Sequence, residues 1–86
     1  MSDVTIYTTA YCGYCHSAKR LLSQKSIDFK EIDVGGRPDL REDIRVRSGG
    51  RTTVPQIWIG ATHVGGCDDL YALEESGELD KLLKVA

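Results

Sequence analysis

The sequence predicts an α/β fold, a four-stranded mixed sheet flanked by helices in the order βαβαββαα, built as one small domain over residues 1–86. Three observations lead there. Short β-branched or alternating runs are interleaved with segments whose apolar residues recur at helical spacing. Gly and Pro separate one run from the next, with no internal repeat or low-complexity stretch. The first two strand-like runs are joined by a helix-length crossover and the last two by a hairpin-length turn, so the sheet must mix parallel and antiparallel pairs.

Val4-Thr5-Ile6-Tyr7-Thr8-Thr9 is β-branched and aromatic and reads as the first strand. Cys15, Ala18, Leu21 and Leu22 then recur at helical spacing around Lys19 and Arg20, which places Cys12 at or just before a helix N-terminus. Ile27-Asp28-Phe29-Lys30-Glu31-Ile32-Asp33-Val34 alternates as a second strand, closed by Gly35-Gly36. A right-handed crossover makes it parallel to the first. Pro38 suits the first turn of a helix through about Arg47, with Asp39, Glu42 and Asp43 early, Arg45 and Arg47 late, and Gly49-Gly50 beyond its end. Gln56-Ile57-Trp58-Ile59 reads as the third strand, and Gly60-Ala61-Thr62 turns it into His63-Val64 as an antiparallel fourth. After Gly65-Gly66, Cys67-Asp68-Asp69 opens a helix carrying Leu70 and Leu73, and Gly77 precedes a last helix with Leu79, Leu82 and Leu83.

Composition narrows the function. Eighty-six residues bury somewhat over ~60% of the unfolded surface. A formal charge of −2 with mixed signs argues against a nucleic-acid footprint or a polybasic membrane surface. No apolar run approaches a membrane span, and Met1-Ser2-Asp3 lacks the basic and apolar regions of a signal peptide, so a cytosolic location is expected. Three cysteines, with one close pair, fit a reducing compartment and catalytic thiols better than a secreted disulfide framework.

The close pair is the most informative feature. Cys12-Gly13-Tyr14-Cys15 sets two thiols on one face of a helix start, directly after a strand. Free N–H groups and the positive dipole end stabilise a thiolate at Cys12, the expected nucleophile; Cys15, one turn further in, is the expected resolving thiol. Structural zinc competes poorly, since Cys67, His16 and His63 are not spaced as a second ligand pair. Cys12 through His16 also spells the attachment pattern of c-type haem, but the only Met is Met1 and no export signal precedes it. His16 is read as a solvated helix residue. Thr52-Thr53-Val54-Pro55 puts a proline where a strand begins, and on base rates its peptide bond is expected trans. Gly65-Gly66-Cys67-Asp68-Asp69 reads equally as a helix cap, with Asp68 or Asp69 accepting first-turn N–H groups, or as an anion site. Cys67 reads as a small packed residue or as a regulatory oxidation site.

Together, Cys12-Gly13-Tyr14-Cys15, Thr53-Val54-Pro55 and Gly65-Gly66-Cys67-Asp68-Asp69 resemble the bacterial dithiol glutaredoxins, in this order and over nearly the whole chain. The resemblance implies a thioredoxin-like fold, a cis bond at Val54-Pro55 facing the thiols, and a groove for glutathione as co-substrate. It implies glutathione-dependent reduction of mixed disulfides and protein disulfides through Cys12 and Cys15. Thr53 and Val54 would pair with the cysteinyl part of glutathione. The backbone of Cys67 and Asp68 would hold its γ-glutamyl carboxylate, with the acid of Asp68 near the amino group; Tyr14, Pro55 and Gly66 would line the groove. Implied partners are glutathione and glutathionylated or disulfide-containing proteins, with neither nucleic acid nor membrane. Two positions depart from the pattern. Gly13 stands where many members have proline, and Thr9 where many have a lysine contacting a glutathione carboxylate, for which Arg20 or Arg51 are the substitutes considered. Gly13 also keeps open an alternative, a homodimer in which Cys12 of each copy and two glutathiones ligate a [2Fe-2S] cluster, in place of a monomer. Thioredoxin-type activity is disfavoured because no tryptophan flanks the thiols.

Overall fold

The sheet is organised around β1 (Val4–Thr8), which pairs in parallel with β2 (Lys30–Asp33) and antiparallel with β3 (Gln56–Ile59). β3 in turn pairs antiparallel with β4 (Thr62–Gly65), giving the strand order β2-β1-β3-β4. The helices are α1 (Gly13–Gln24), α2 (Pro38–Arg47), α3 (Cys67–Ser76) and α4 (Glu78–Val85), so the expected order of elements holds. This computed structural model describes residues 3–85; Met1, Ser2 and Ala86, counted in the expected domain, lie outside the described residues. No helix among the described residues is long and apolar enough to cross a membrane.

Side-chain alternation divides the core between the two faces of the sheet. Val4, Ile6, Ile57 and Ile59 pack with Ala18, Leu21 and Leu22 of α1, Cys67 and Leu70 of α3, and Leu79 and Leu83 of α4. Tyr7 and Trp58 point the other way and pack with Val34 and with Ile44 of α2. Burying a side chain such as Leu22 or Ile57 is worth about 1.5–3 kcal/mol, against about 0–1 kcal/mol for an exposed ion pair such as Lys81–Glu78. The core holds the fold; the ion pairs trim it.

The second strand is shorter than expected. Residues 27–29 alternate like a strand, but β2 is an edge strand whose only neighbour among the described residues is β1, and pairing begins at Thr5↔Lys30. Upstream, the Ile27 N–H is taken by the Leu22 carbonyl at 3.0 Å, so this stretch completes the exit from α1.

Antiparallel pairing determines where the loops meet. Tyr7↔Gln56 sets the end of β1 beside the start of β3, and Ile57↔Gly65 brings the end of β4 to the same edge of the sheet. Between Trp58↔His63 and Ile57↔Gly65, Val64 is the extra residue of a bulge, and Gly65 leaves it with a left-handed φ of 115°.

Candidate active site

The segment after β1, the segment before β3 and the start of α3 converge at that edge. Cys12 is the N-cap of α1, with φ −109° and ψ 108°, and its Sγ accepts the Cys15 backbone N–H at 3.1 Å. A cysteine sulfur thus takes the place of the usual capping oxygen. Sγ also lies 3.7 Å from the Val54 carbonyl, to which the thiol donates. Cys12 is half-buried, whereas Cys15 is fully buried. Burial, then the hydrogen bond with Cys12, pushes the Cys15 thiol up to about 12. At neutral pH Cys15 is therefore a protonated thiol, unsuited to first attack.

The Val54-Pro55 bond is cis. The base-rate expectation of trans is corrected, and the geometry implied by the family resemblance is the one found. Pro55 is buried and Val54 partly so, and together they form one wall of a groove of about 320 Å³. Its lining comprises every residue expected there, Tyr14, Thr53, Val54, Pro55, Gly66, Cys67 and Asp68, together with Arg51 and Asp69. Tyr14 is 68% exposed and Tyr11, beside Cys12 in sequence, is wholly exposed.

Gly66 caps α3, and of the two acids considered for that end it is Asp69 that accepts the Gly66 N–H, at 2.9 Å. Asp69 is the N3 residue and makes the return half of a capping box, glycine having no side chain to make the other half, and the choice between Asp68 and Asp69 could have been made from that spacing. Asp69 also receives Arg51 Nη1 at 3.2 Å. The hydrogen bond from Gly66, then the contact with Arg51, holds the Asp69 carboxyl below the usual range despite its partial burial. Asp68 is left exposed at the groove, and the first-turn N–H groups of Cys67 and Asp68 precede the first intrahelical bond, from Leu70 to Gly66. Cys67 is 8% exposed, packed in the larger core, and burial pushes its thiol up. Those are the surroundings of a packed cysteine rather than a reactive one. Arg51 lines the groove, and Arg20 is not among its lining residues.

These features have a counterpart among known proteins. The family model described as glutaredoxin matches residues 4–64. The chain belongs to the glutaredoxin family. It is 61% identical over 85 residues to a glutaredoxin of Pseudomonas aeruginosa, covering 99% of this chain and 100% of that protein. With glutaredoxin 3 of Escherichia coli it shares 57% over 84 residues, 98% of this chain and 100% of the relative. Among solved structures, a buckwheat glutaredoxin in complex with glutathione superposes with a TM-score of 0.88 at 28% identity, over 96% of this chain and 77% of the other. The fold is the thioredoxin-like fold of glutaredoxins, and the family's chemistry is thiol-disulfide oxidoreduction.

Proposed function

We propose that the chain is a glutathione-dependent reductase of glutathione mixed disulfides and of some protein disulfides. The observation that carries this reading is the asymmetry of the two thiols: Cys12 is half-buried, receives an N–H at its sulfur and touches the carbonyl of the groove residue Val54, while Cys15 is sealed and protonated. The Cys12 thiolate attacks the glutathione sulfur of a mixed disulfide. The old S–S bond breaks, the substrate protein leaves as a thiolate, and Cys12 becomes glutathionylated. A free glutathione thiolate attacks that bond, releasing glutathione disulfide and regenerating the Cys12 thiolate, so the cycle is a thiol-disulfide exchange that consumes one free glutathione. On a protein disulfide, Cys12 forms a mixed disulfide with the substrate, and Cys15, losing its proton as it attacks, displaces the second thiolate and closes a Cys12–Cys15 disulfide.

Glutathione would lie with its cysteinyl part along the backbone of Thr53 and Val54. Its γ-glutamyl carboxylate would meet the N–H groups of Cys67 and Asp68 at the start of α3, with the Asp68 carboxylate near its amino group and Tyr14 along the side. Arg51 is the cation within the groove that could meet the other carboxylate in place of a lysine at position 9. That a buckwheat glutaredoxin is solved in complex with glutathione supports glutathione as the ligand. The test is steady-state kinetics on a glutathionylated peptide and on a protein disulfide. Cys12→Ser should abolish both activities, while Cys15→Ser should keep the first and lose most of the second. A dead Cys15 variant beside an active Cys12 variant would sink the scheme.

A second reading, the [2Fe-2S] homodimer, is favoured by Cys12 being the one cysteine that is not buried. Among the described residues no three His, Cys, Asp or Glu side chains come together to hold a metal, so Cys12 would need a second copy and two glutathiones to complete four sulfur ligands. Anaerobic reconstitution with iron, sulfide and glutathione should then give a brown dimer that turns into a colourless monomer on oxidation. Gly13→Pro should suppress that assembly while sparing reductase activity. A colourless monomer throughout would leave the reductase reading alone.

A further inference from the structure

Gln56 is a polar side chain where an apolar one would be expected. It opens β3, is fully buried, and shares with Trp58 the face of the sheet that looks toward α2. A buried amide left without partners is costly, so its partners determine what it is for. Both of its ends are engaged. Gln56 Oε1 lies 2.8 Å from His63 Nε2, and Gln56 Nε2 donates to Thr53 Oγ1 at 3.3 Å.

The chain of bonds has a direction. The amide oxygen can only accept, so His63 must carry its proton on Nε2, and the amide nitrogen can only donate, so Thr53 Oγ1 must accept. A hydroxyl that accepts from inside keeps its own proton for the outside, and Thr53 lines the groove. His63 is held in place by Trp58, with ring centroids 4.6 Å apart. Trp58 is itself braced edge-on by Tyr7 at 5.4 Å and by the Arg47 guanidinium at 4.5 Å. Burial, with Arg51 and Arg47 nearby and only Asp69 opposing them, holds His63 below the usual imidazole range. The direction does not depend on that charge state, because a protonated imidazole also donates from Nε2.

We propose that Gln56 and His63 are positioning residues: the relay from His63 through Gln56 turns the Thr53 hydroxyl outward as a hydrogen-bond donor to an acceptor oxygen of the ligand in the groove. This rests on the reading that the groove binds glutathione. Neither residue touches the ligand, and both act through Thr53.

Gln56→Glu tests the direction, because at about pH 8 a carboxylate there accepts from both neighbours and draws the Thr53 proton inward. The KM for glutathione should rise roughly two- to ten-fold, the size of one hydrogen bond, with kcat changed less. Gln56→Met, similar in volume and free of a buried charge, should raise KM in the same way. His63→Phe, which keeps a ring on Trp58, should do so too, and His63→Gln, whose amide still donates, should restore it. In a Thr53→Val background the position-56 and position-63 substitutions should have no further effect on KM. An unchanged KM in folded Gln56→Met and His63→Phe variants, or an equal effect with and without the Thr53 hydroxyl, would overturn the relay while leaving the glutathione reading intact. Wild-type turnover that does not saturate with glutathione would overturn both.

Discussion

Cys15 donates its backbone N–H to the Cys12 sulfur at 3.1 Å while its own sulfur is fully buried. One residue therefore supports the nucleophile with its main chain and withholds its side chain. The two roles separate in pH.

A thiol whose pKa is raised by folding contributes stability that is complete below the unfolded value and is lost as pH rises through the folded one. For Cys15 that window runs from about 9 to about 12. Within it each pH unit should remove up to about 1.4 kcal/mol. Urea unfolding of the reduced protein at about pH 8 and about pH 10, beside Cys15→Ala, should show the wild-type advantage shrinking at the higher pH. Parallel pH profiles would contradict this.

Gly13 begins α1, and a Cβ added there meets nothing within 4 Å. Cys12 before it already has the extended backbone that a following proline requires. Gly13→Pro should thus fit the first helical position and stabilise the fold by about 0.4–1 kcal/mol, chiefly by restricting the unfolded chain. A lower thermal midpoint in the variant would show that the glycine is needed in the native state.

Arg51 and Asp69 are both about half exposed, so their ion pair should contribute at most about 1 kcal/mol to stability. Arg51→Gln should leave the thermal midpoint nearly unchanged but raise the KM for glutathione, more at low than at high salt. Adding Thr9→Lys should recover part of that loss. If Arg51→Gln leaves KM unaltered at low ionic strength, the carboxylate is held elsewhere.

Gly65 sits with φ 115° where an added Cβ would fall on the Asp69 carboxylate and within 2.7 Å of Arg51 Nη1. Gly65→Ala combines backbone strain with displacement of the cap of α3. A loss of about 1–3 kcal/mol is expected in chemical denaturation, together with weaker glutathione binding. A neutral substitution would mean that the bulge can relax.

How far the sequence could be read depended on whether the cause was local. Pro38 and the glycines after Arg47 bound α2 by rules that act within a turn, and its range matched. Residues 27–29 carry a strand-like alternation, but the extent of β2 is set by the length and register of β1, which no pattern within the segment encodes. The thiol pair and the lining from Thr53 to Pro55 and from Gly66 to Asp68 were legible as motifs. The Arg51–Asp69 pair was not, since it joins residues 18 apart only after the bulge at Val64 has turned the chain. The relay through Gln56 was equally hidden: a Gln at the head of an apolar run gives no sign of which two side chains will meet it.

The meeting of three strand ends at one edge of the sheet also has a bearing on timing. During synthesis the thiols at positions 12 and 15 emerge first with Tyr14, while the rest of the groove's lining comes from residues 51–69. Until the chain has passed β4 into the first turn of α3, the dithiol stands beside an unfinished groove. Removing residues 66–69 would therefore leave both thiols in the chain and take away one of the walls beside them.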